Sequence, residues 1–172
     1  MLRIALMGAA LALGTATASA GDVEKFHTVF SGFNEVPSIL SEGKGTLDLT
    51  LDRTAKTLTF TLTYSNLSAP VTQSHIHFGK VHVNGSVVVF FCTNLGNGPP
   101  GTQACPPGGG TVTGTITASN VIAVPSQNVS AGDFDAIEDA LESNTAYANI
   151  HTTSFPAGEI RGQVRRRDRD DD

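Results

Sequence analysis

Five histidines are the side chains in this sequence best suited to chemistry: His27, His75, His77, His82 and His151. Two of them stand two residues apart in Ser74-His75-Ile76-His77-Phe78. On a strand, positions i and i+2 share a face and lie roughly 7 Å apart along the chain. Both imidazoles can then converge on one metal ion while Ile76 turns to the core. Zinc sites use three or four protein ligands, so a third is required. His151 is the best candidate. It lies in Tyr147–Thr152, with Tyr147 and Asn149 on its face. The site exists only if that segment runs beside Ser74–Phe78. His27 and Glu35 are further options. Copper and zinc are the ions to test against such a set, copper with redox activity as a corollary. The same residues have a structural reading. Neutral histidines in strands bond backbone or side-chain partners and do nothing else. A histidine network with a carboxylate or an arginine would lock two strands together.

A second same-face pair is Glu159 and Arg161, around an inward Ile160, in Gly158-Glu159-Ile160-Arg161-Gly162-Gln163. A carboxylate and a guanidinium at this spacing can each pair across strands, and a cross-strand salt-bridge network is the expectation. The flanking glycines allow the backbone a close approach. Ser74 and His75 point to opposite faces of a strand, so they are no nucleophile–base dyad. The acids are too scattered for a glycosidase pair. The Gly-rich stretch around Cys105 lacks the ending of a phosphate loop, and no nucleophile elbow occurs. With no complete catalytic constellation, the sequence leans against an enzyme.

The elements that would position these residues are mostly strands. Thr46–Leu51 and Thr57–Tyr64 alternate apolar and polar residues, which marks strands with one buried and one wet face. The turn between them predicts a hairpin. Further strands are expected at Lys25–Phe30, Ser74–Phe78, Ser86–Phe91, Thr111–Ala118, Tyr147–Thr152 and Glu159–Val164. Val87 to Phe91 is apolar on both faces, which fits a central strand. One short peripheral helix is expected near 131–143. Ser130 to Asp133 can cap it, Phe134, Ile137 and Leu141 line one face, and Asn144 ends it. This rhythm predicts an all-β fold, an antiparallel β-sandwich of immunoglobulin-like or superoxide-dismutase-like type. The run from Arg165 to Asp172 reads as a mobile, solvated, charged tail.

Met1 to Ala20 has one Arg, an apolar run and a small-residue Ala18-Ser19-Ala20 ending. That order of parts is a secretory signal peptide, with cleavage expected after Ala20. Its apolar run is well short of the ~20 residues of a membrane span, so no transmembrane segment is expected in the mature chain. The protein should be secreted or periplasmic. In such a compartment Cys92 and Cys105, the two cysteines, are expected to form a disulfide. Of the 172 residues 16% are charged, and the net charge is −5. So few charges exclude a wholly disordered chain, and an acidic balance argues against nucleic acid as a partner.

Three stretches carry a resemblance to a known family. Phe30-Ser31-Gly32-Phe33-Asn34-Glu35-Val36-Pro37 resembles the family's opening motif. Ser74-His75-Ile76-His77-Phe78-Gly79 is similar to its central motif. Tyr147-Ala148-Asn149-Ile150-His151-Thr152 with Phe155-Pro156-Ala157-Gly158-Glu159-Ile160-Arg161-Gly162-Gln163 is similar to its closing motif. On these residues, positions 26–164 resemble a CHRD domain, named after chordin. Phe30 and the single Pro37 depart from the usual opening, and the Cys92–Cys105 loop is an elaboration of the pattern. The resemblance implies an all-β extracellular domain and little biochemistry. The motif positions Glu35, His75, His77, His151, Glu159 and Arg161 are the expected ligand-binding residues. Three functions follow as expectations. The first is a non-enzymatic module that binds a protein, glycan or envelope ligand. The second is a copper- or zinc-binding protein using His75, His77 and His151. The third is a structural module of the envelope.

Overall fold

A computed structural model describes residues 23–167. Residues 1–22, which include the expected signal segment Met1–Ala20, and residues 168–172 lie outside it. Within it the period-two segments become strands: β1 (Val23–Phe30), β2 (Lys44–Asp52), β3 (Thr57–Ser65), β4 (Val71–Phe78), β5 (Ser86–Thr93), β6 (Gly110–Ile116), β7 (Ala146–Thr152), β8 (Ile160–Gln163) and β9 (Arg165–Arg166), with one helix, α1 (Phe134–Glu142). They form two antiparallel sheets, β6-β3-β2-β1-β9 and β5-β4-β7-β8. The architecture is an all-β sandwich.

The β2–β3 hairpin forms as its alternation predicts. Register runs from Lys44 opposite Ser65 to Asp52 opposite Thr57. The Asp52 carboxylate accepts from the Ala55 amide at 2.8 Å and closes the turn. Leu47, Leu49, Leu51, Leu58, Phe60, Leu62 and Tyr64 are buried on the inner face. Ile76, Val89, Ala148, Ile150 and Ile160 meet them from the smaller sheet, all at 0% exposure. Burying apolar side chains on this scale is the main stabilising term of the fold.

Four local expectations are corrected. β5 is an edge strand, paired only with β4. Its continuous apolar run has two causes. Register shifts between Ser74 and His75 and between Ile76 and His77 break its alternation, and the Ile122 amide donates to the Val88 carbonyl at 3.0 Å, so a loop covers the edge. Covering is one way sheets protect an unpaired edge. β6 stops at Ile116, where a 3-10 turn starts at Ala118. The cap of α1 is Asp133, which accepts from the Ala136 amide, rather than Ser130. Arg165 and Arg166 extend the larger sheet opposite His27 and Phe26 rather than opening a tail. Ion pairs from Arg166 to Glu24 at 2.9 Å and Arg167 to Asp48 at 2.7 Å hold that end down.

The disulfide Cys92–Cys105 forms, closing the loop after β5. No helix among the described residues is long and apolar enough to cross a membrane.

Candidate metal centre

β7 decides the site. It runs beside β4, with Asn149 opposite His75, Tyr147 opposite His77 and His151 opposite Gln73. Every residue of β7 is buried. Ala148 and Ile150 face the core between the sheets, so Tyr147, Asn149 and His151 lie on the other face of the strand. That outer face of the smaller sheet would ordinarily be wet. Here the loops before β5 and before β8 cover it, together with the segment around Glu35. The two register shifts in β4–β5 flank His75-Ile76. Bulges of this kind re-aim side chains beside functional sites.

His75, His77 and His151 are 2%, 8% and 5% exposed. Each offers one ring nitrogen, and the three nitrogens lie within 4.8 Å of one another. Their orientations are set by backbone. His77 Nδ1 donates to the Gly85 carbonyl at 2.9 Å, and His151 Nδ1 donates to the Pro156 carbonyl at 2.9 Å. A neutral imidazole carries one N–H, so Nε2 of both rings is left with a bare lone pair. His77 Nε2 lies 3.0 Å from His75 Nδ1. Metal-ligating histidines are oriented by such outer hydrogen bonds to carbonyls.

Burial keeps the rings neutral. It lowers His75 to about 2, helped by repulsion from His151 and His77. It lowers His77 to about 4, and it lowers His151 as well. The charged form is disfavoured in a low-dielectric site. The Nε2 lone pairs of His77 and His151 are therefore unprotonated at neutral pH, and the neutral His75 ring can present Nδ1 to the same point.

A stack supports the cluster from the side. Tyr147 lies parallel to His77, ring centres 4.5 Å apart, and the Arg161 guanidinium sits 3.3 Å from the centre of the Tyr147 ring. Cations favour the electron-rich face of an aromatic ring. Arg161 is 2% exposed. It donates to Asn84 Oδ1 at 3.2 Å, to the Lys80 carbonyl at 3.1 Å and to the Val83 carbonyl at 2.9 Å. It thus fastens the covering loop to β8. Glu35 is also buried, at 6% exposure. Burial raises it to about 7, against the pull of Arg161, of the Asn149 side chain and of the Val36 amide.

Glu159 belongs elsewhere. It lies just before β8 and accepts from Ser41 Oγ at 2.7 Å, the Ser68 amide at 2.8 Å, Ser68 Oγ at 2.9 Å and Thr152 Oγ1 at 2.7 Å. Burial pushes its carboxyl up, but these hydrogen bonds outweigh that and hold it below the ordinary value. In place of the expected cross-strand salt-bridge network, Glu159 has hydroxyl and backbone-amide partners and Arg161 has carbonyl partners and the Asn84 side chain. His27 is on the larger sheet, bonded to Asp48 at 2.9 Å, and His82 is an exposed loop residue with φ +62°. Neither joins the cluster.

A family model for the CHRD domain matches residues 26–164. The chain belongs to the CHRD domain family. No curated protein and no solved structure gives a match. The three motif stretches of this CHRD domain meet at one place. The first supplies Glu35, the second His75 and His77, the third Tyr147, Asn149, His151 and Arg161. Sequence reasoning missed the part played by Asn149. Its signal was present, since Tyr147, Asn149 and His151 share one strand face. The carbonyls of Gly85 and Pro156 have no sequence signal, because every residue carries one.

Proposed function

We propose that this CHRD domain is an exported, non-enzymatic metal-binding protein whose His75, His77 and His151 hold a copper or zinc ion. One observation carries the reading. Two backbone carbonyls fix the tautomers of His77 and His151 so that bare nitrogen lone pairs converge beside His75 Nδ1. A hydrogen-bond network needs a proton between each pair of electronegative atoms. Here the N–H groups of both rings point away from the cluster, which suits a cation at its centre. The donor set fits either metal, since imidazole is a ligand of both zinc and copper. Export rests on the signal segment and agrees with the disulfide.

A partner-docking role for the same residues is the weaker reading. Glu35, His75, His77, His151, Glu159 and Arg161, at 0–8% exposure, are buried and offer little surface to a protein or glycan.

The test uses the mature chain, residues 21–172, without a histidine tag. Equilibrium dialysis against Zn(II) or Cu(II) should give one bound ion per chain. His77→Ala should lose it while keeping a cooperative unfolding transition. A folded wild type without stoichiometric metal would falsify the reading.

A further inference from the structure

The ligand reading of the three histidines leaves the fourth side of the cluster to Asn149. We infer that Asn149 Oδ1 is the fourth ligand, aimed by Glu35, so that the site closes around a divalent zinc or copper ion. This rests on the reading above.

A side-chain amide has two unlike ends, and only its surroundings say which end points where. The nitrogen of Asn149 packs beside the Glu35 carboxyl, under Gly158. Gly158 has φ +128°, and a Cβ there would stand 2.8 Å from Glu35 Cδ and 2.9 Å from Asn149 Nδ2. The backbone thus reserves a slot for a carboxyl group and an amide nitrogen side by side. An ionised carboxylate only accepts hydrogen bonds, and a protonated carboxyl keeps an accepting carbonyl oxygen, so in either state Glu35 can take the N–H end of the amide. Glu35 Oε1 is buried and has no hydrogen-bond partner, which leaves it open to the adjacent amide nitrogen.

With the nitrogen at Glu35, the oxygen must face the imidazoles. It lies 3.0 Å from His77 Nε2 and 2.9 Å from His151 Nε2. Those two nitrogens carry no proton, because both N–H groups go to carbonyls. An oxygen lone pair therefore meets two nitrogen lone pairs at hydrogen-bond distance. Neutral atoms repel in that arrangement, and a cation donated to by all of them reverses the sign.

The donor set is three nitrogens and one oxygen. An amide oxygen is a hard donor and suits Zn(II) or Cu(II), whereas Cu(I) selects sulfur. Four protein donors fill a tetrahedral zinc sphere, and closed sites of this kind are structural, while catalytic ones keep a position for water. The inferred role is to hold the ion.

The test loads the mature protein with Co(II), whose visible spectrum reports coordination, and adds azide. The wild-type spectrum should not respond. Asn149→Ala should respond to azide and bind Zn(II) at least about 10–100-fold more weakly, the range typical for losing metal-supporting side chains. Asn149→Asp should retain affinity, since a carboxylate also offers oxygen. Glu35→Ala should weaken Zn(II) binding, and Glu35→Gln should restore it, because its amide oxygen can accept from Asn149. Unfolding midpoints of each variant separate a lost ligand from a lost fold. An azide response in the wild type, or undiminished Zn(II) affinity in folded Asn149→Ala, overturns the inference while leaving the three-histidine reading in place. A wild type that binds neither Co(II) nor Zn(II) overturns both.

Discussion

Acid should unfold the metal-free protein over a range set by the buried cluster. His75 and His77 are held down to about 2 and about 4, and each returns to about 6.5 in the unfolded chain. Between pH 5 and 6 the unfolded chain therefore binds two protons that the native state refuses. Glu35 acts oppositely. It is raised to about 7 in the native state and falls to 4.5 when unfolded, so the native state holds one proton more there. The net is about one proton in favour of the unfolded chain, and His151, also lowered, adds to it. Stability should rise with pH by on the order of 1 kcal/mol per pH unit across this window. Below pH 4.5 Glu35 is protonated in both states, so the slope should steepen. Around pH 7 the last unfolded-state imidazolium charge and the last native Glu35 proton offset each other, so the dependence should flatten, and above about pH 8 these groups have the same charge in both states. The assay is urea unfolding of the chelator-treated protein at half-unit steps of pH from 4.5 to 7.5. Glu35→Gln provides the internal control. It removes the opposing proton, and the slope between pH 5 and 6 should increase by about 1.4 kcal/mol per unit. A flat profile, or stability that falls from pH 5 to 6, would refute the claim that the imidazoles are buried and neutral.

Two further outcomes follow from the backbone and the cross-link. Gly158→Ala should destabilise more than Gly96→Ala: both have positive φ, but only Gly158 is crowded by Glu35 and Asn149, and Gly96 faces open space. Each carries a left-handed strain of about 1–3 kcal/mol, and equal urea midpoints for the two variants would remove the role given to the slot. Replacing both Cys92 and Cys105 by Ala should lower stability by about 3 kcal/mol in the chain-entropy model, given the 13-residue separation. Thiol titration of the denatured, unreduced wild type should find no free thiol, and two titratable thiols would contradict the cross-link.

Much of the fold was legible because alternation is a local signal. Thr57–Tyr64 reads as a strand from its own residues, and β3 begins at that Thr57. β5 was misplaced for the opposite reason. Its double-sided burial comes from two bulges against β4 and from a loop bonded along its edge, and both depend on residues far away in sequence. Arg165 and Arg166 were misread because charge suggests solvent, whereas their backbone pairs with β1 and Arg166 has Glu24 as its counter-ion. At the candidate site, the face shared by His75 and His77 was readable from spacing. The approach of His151 needed the β4–β7 pairing. Asn149 stood in plain view on the same face, but an asparagine gains meaning only from what lies at each end of its amide.

The sandwich explains how such a cluster can be tolerated. Each buried polar group without a partner costs about 1–3 kcal/mol, and a small core cannot carry many. Here the apolar residues of both sheets pack between the layers, on the face of β4 and β7 opposite the histidines. The core therefore forms without any contribution from the cluster. The outer face of the smaller sheet is free to be polar, and Arg161 holds the loop that dries it. Drying is what links stability to chemistry. It depresses the imidazole pKa values, which makes acid destabilising, and it leaves their lone pairs unprotonated at neutral pH, which suits a metal. A bound ion would stabilise the native state further, by about 2.7 kcal/mol at a free concentration of 100 Kd. The same desolvation thus predicts sensitivity to acid and protection by metal: replacing His77 should abolish the protection and reduce the acid sensitivity, to which His75 and His151 still contribute.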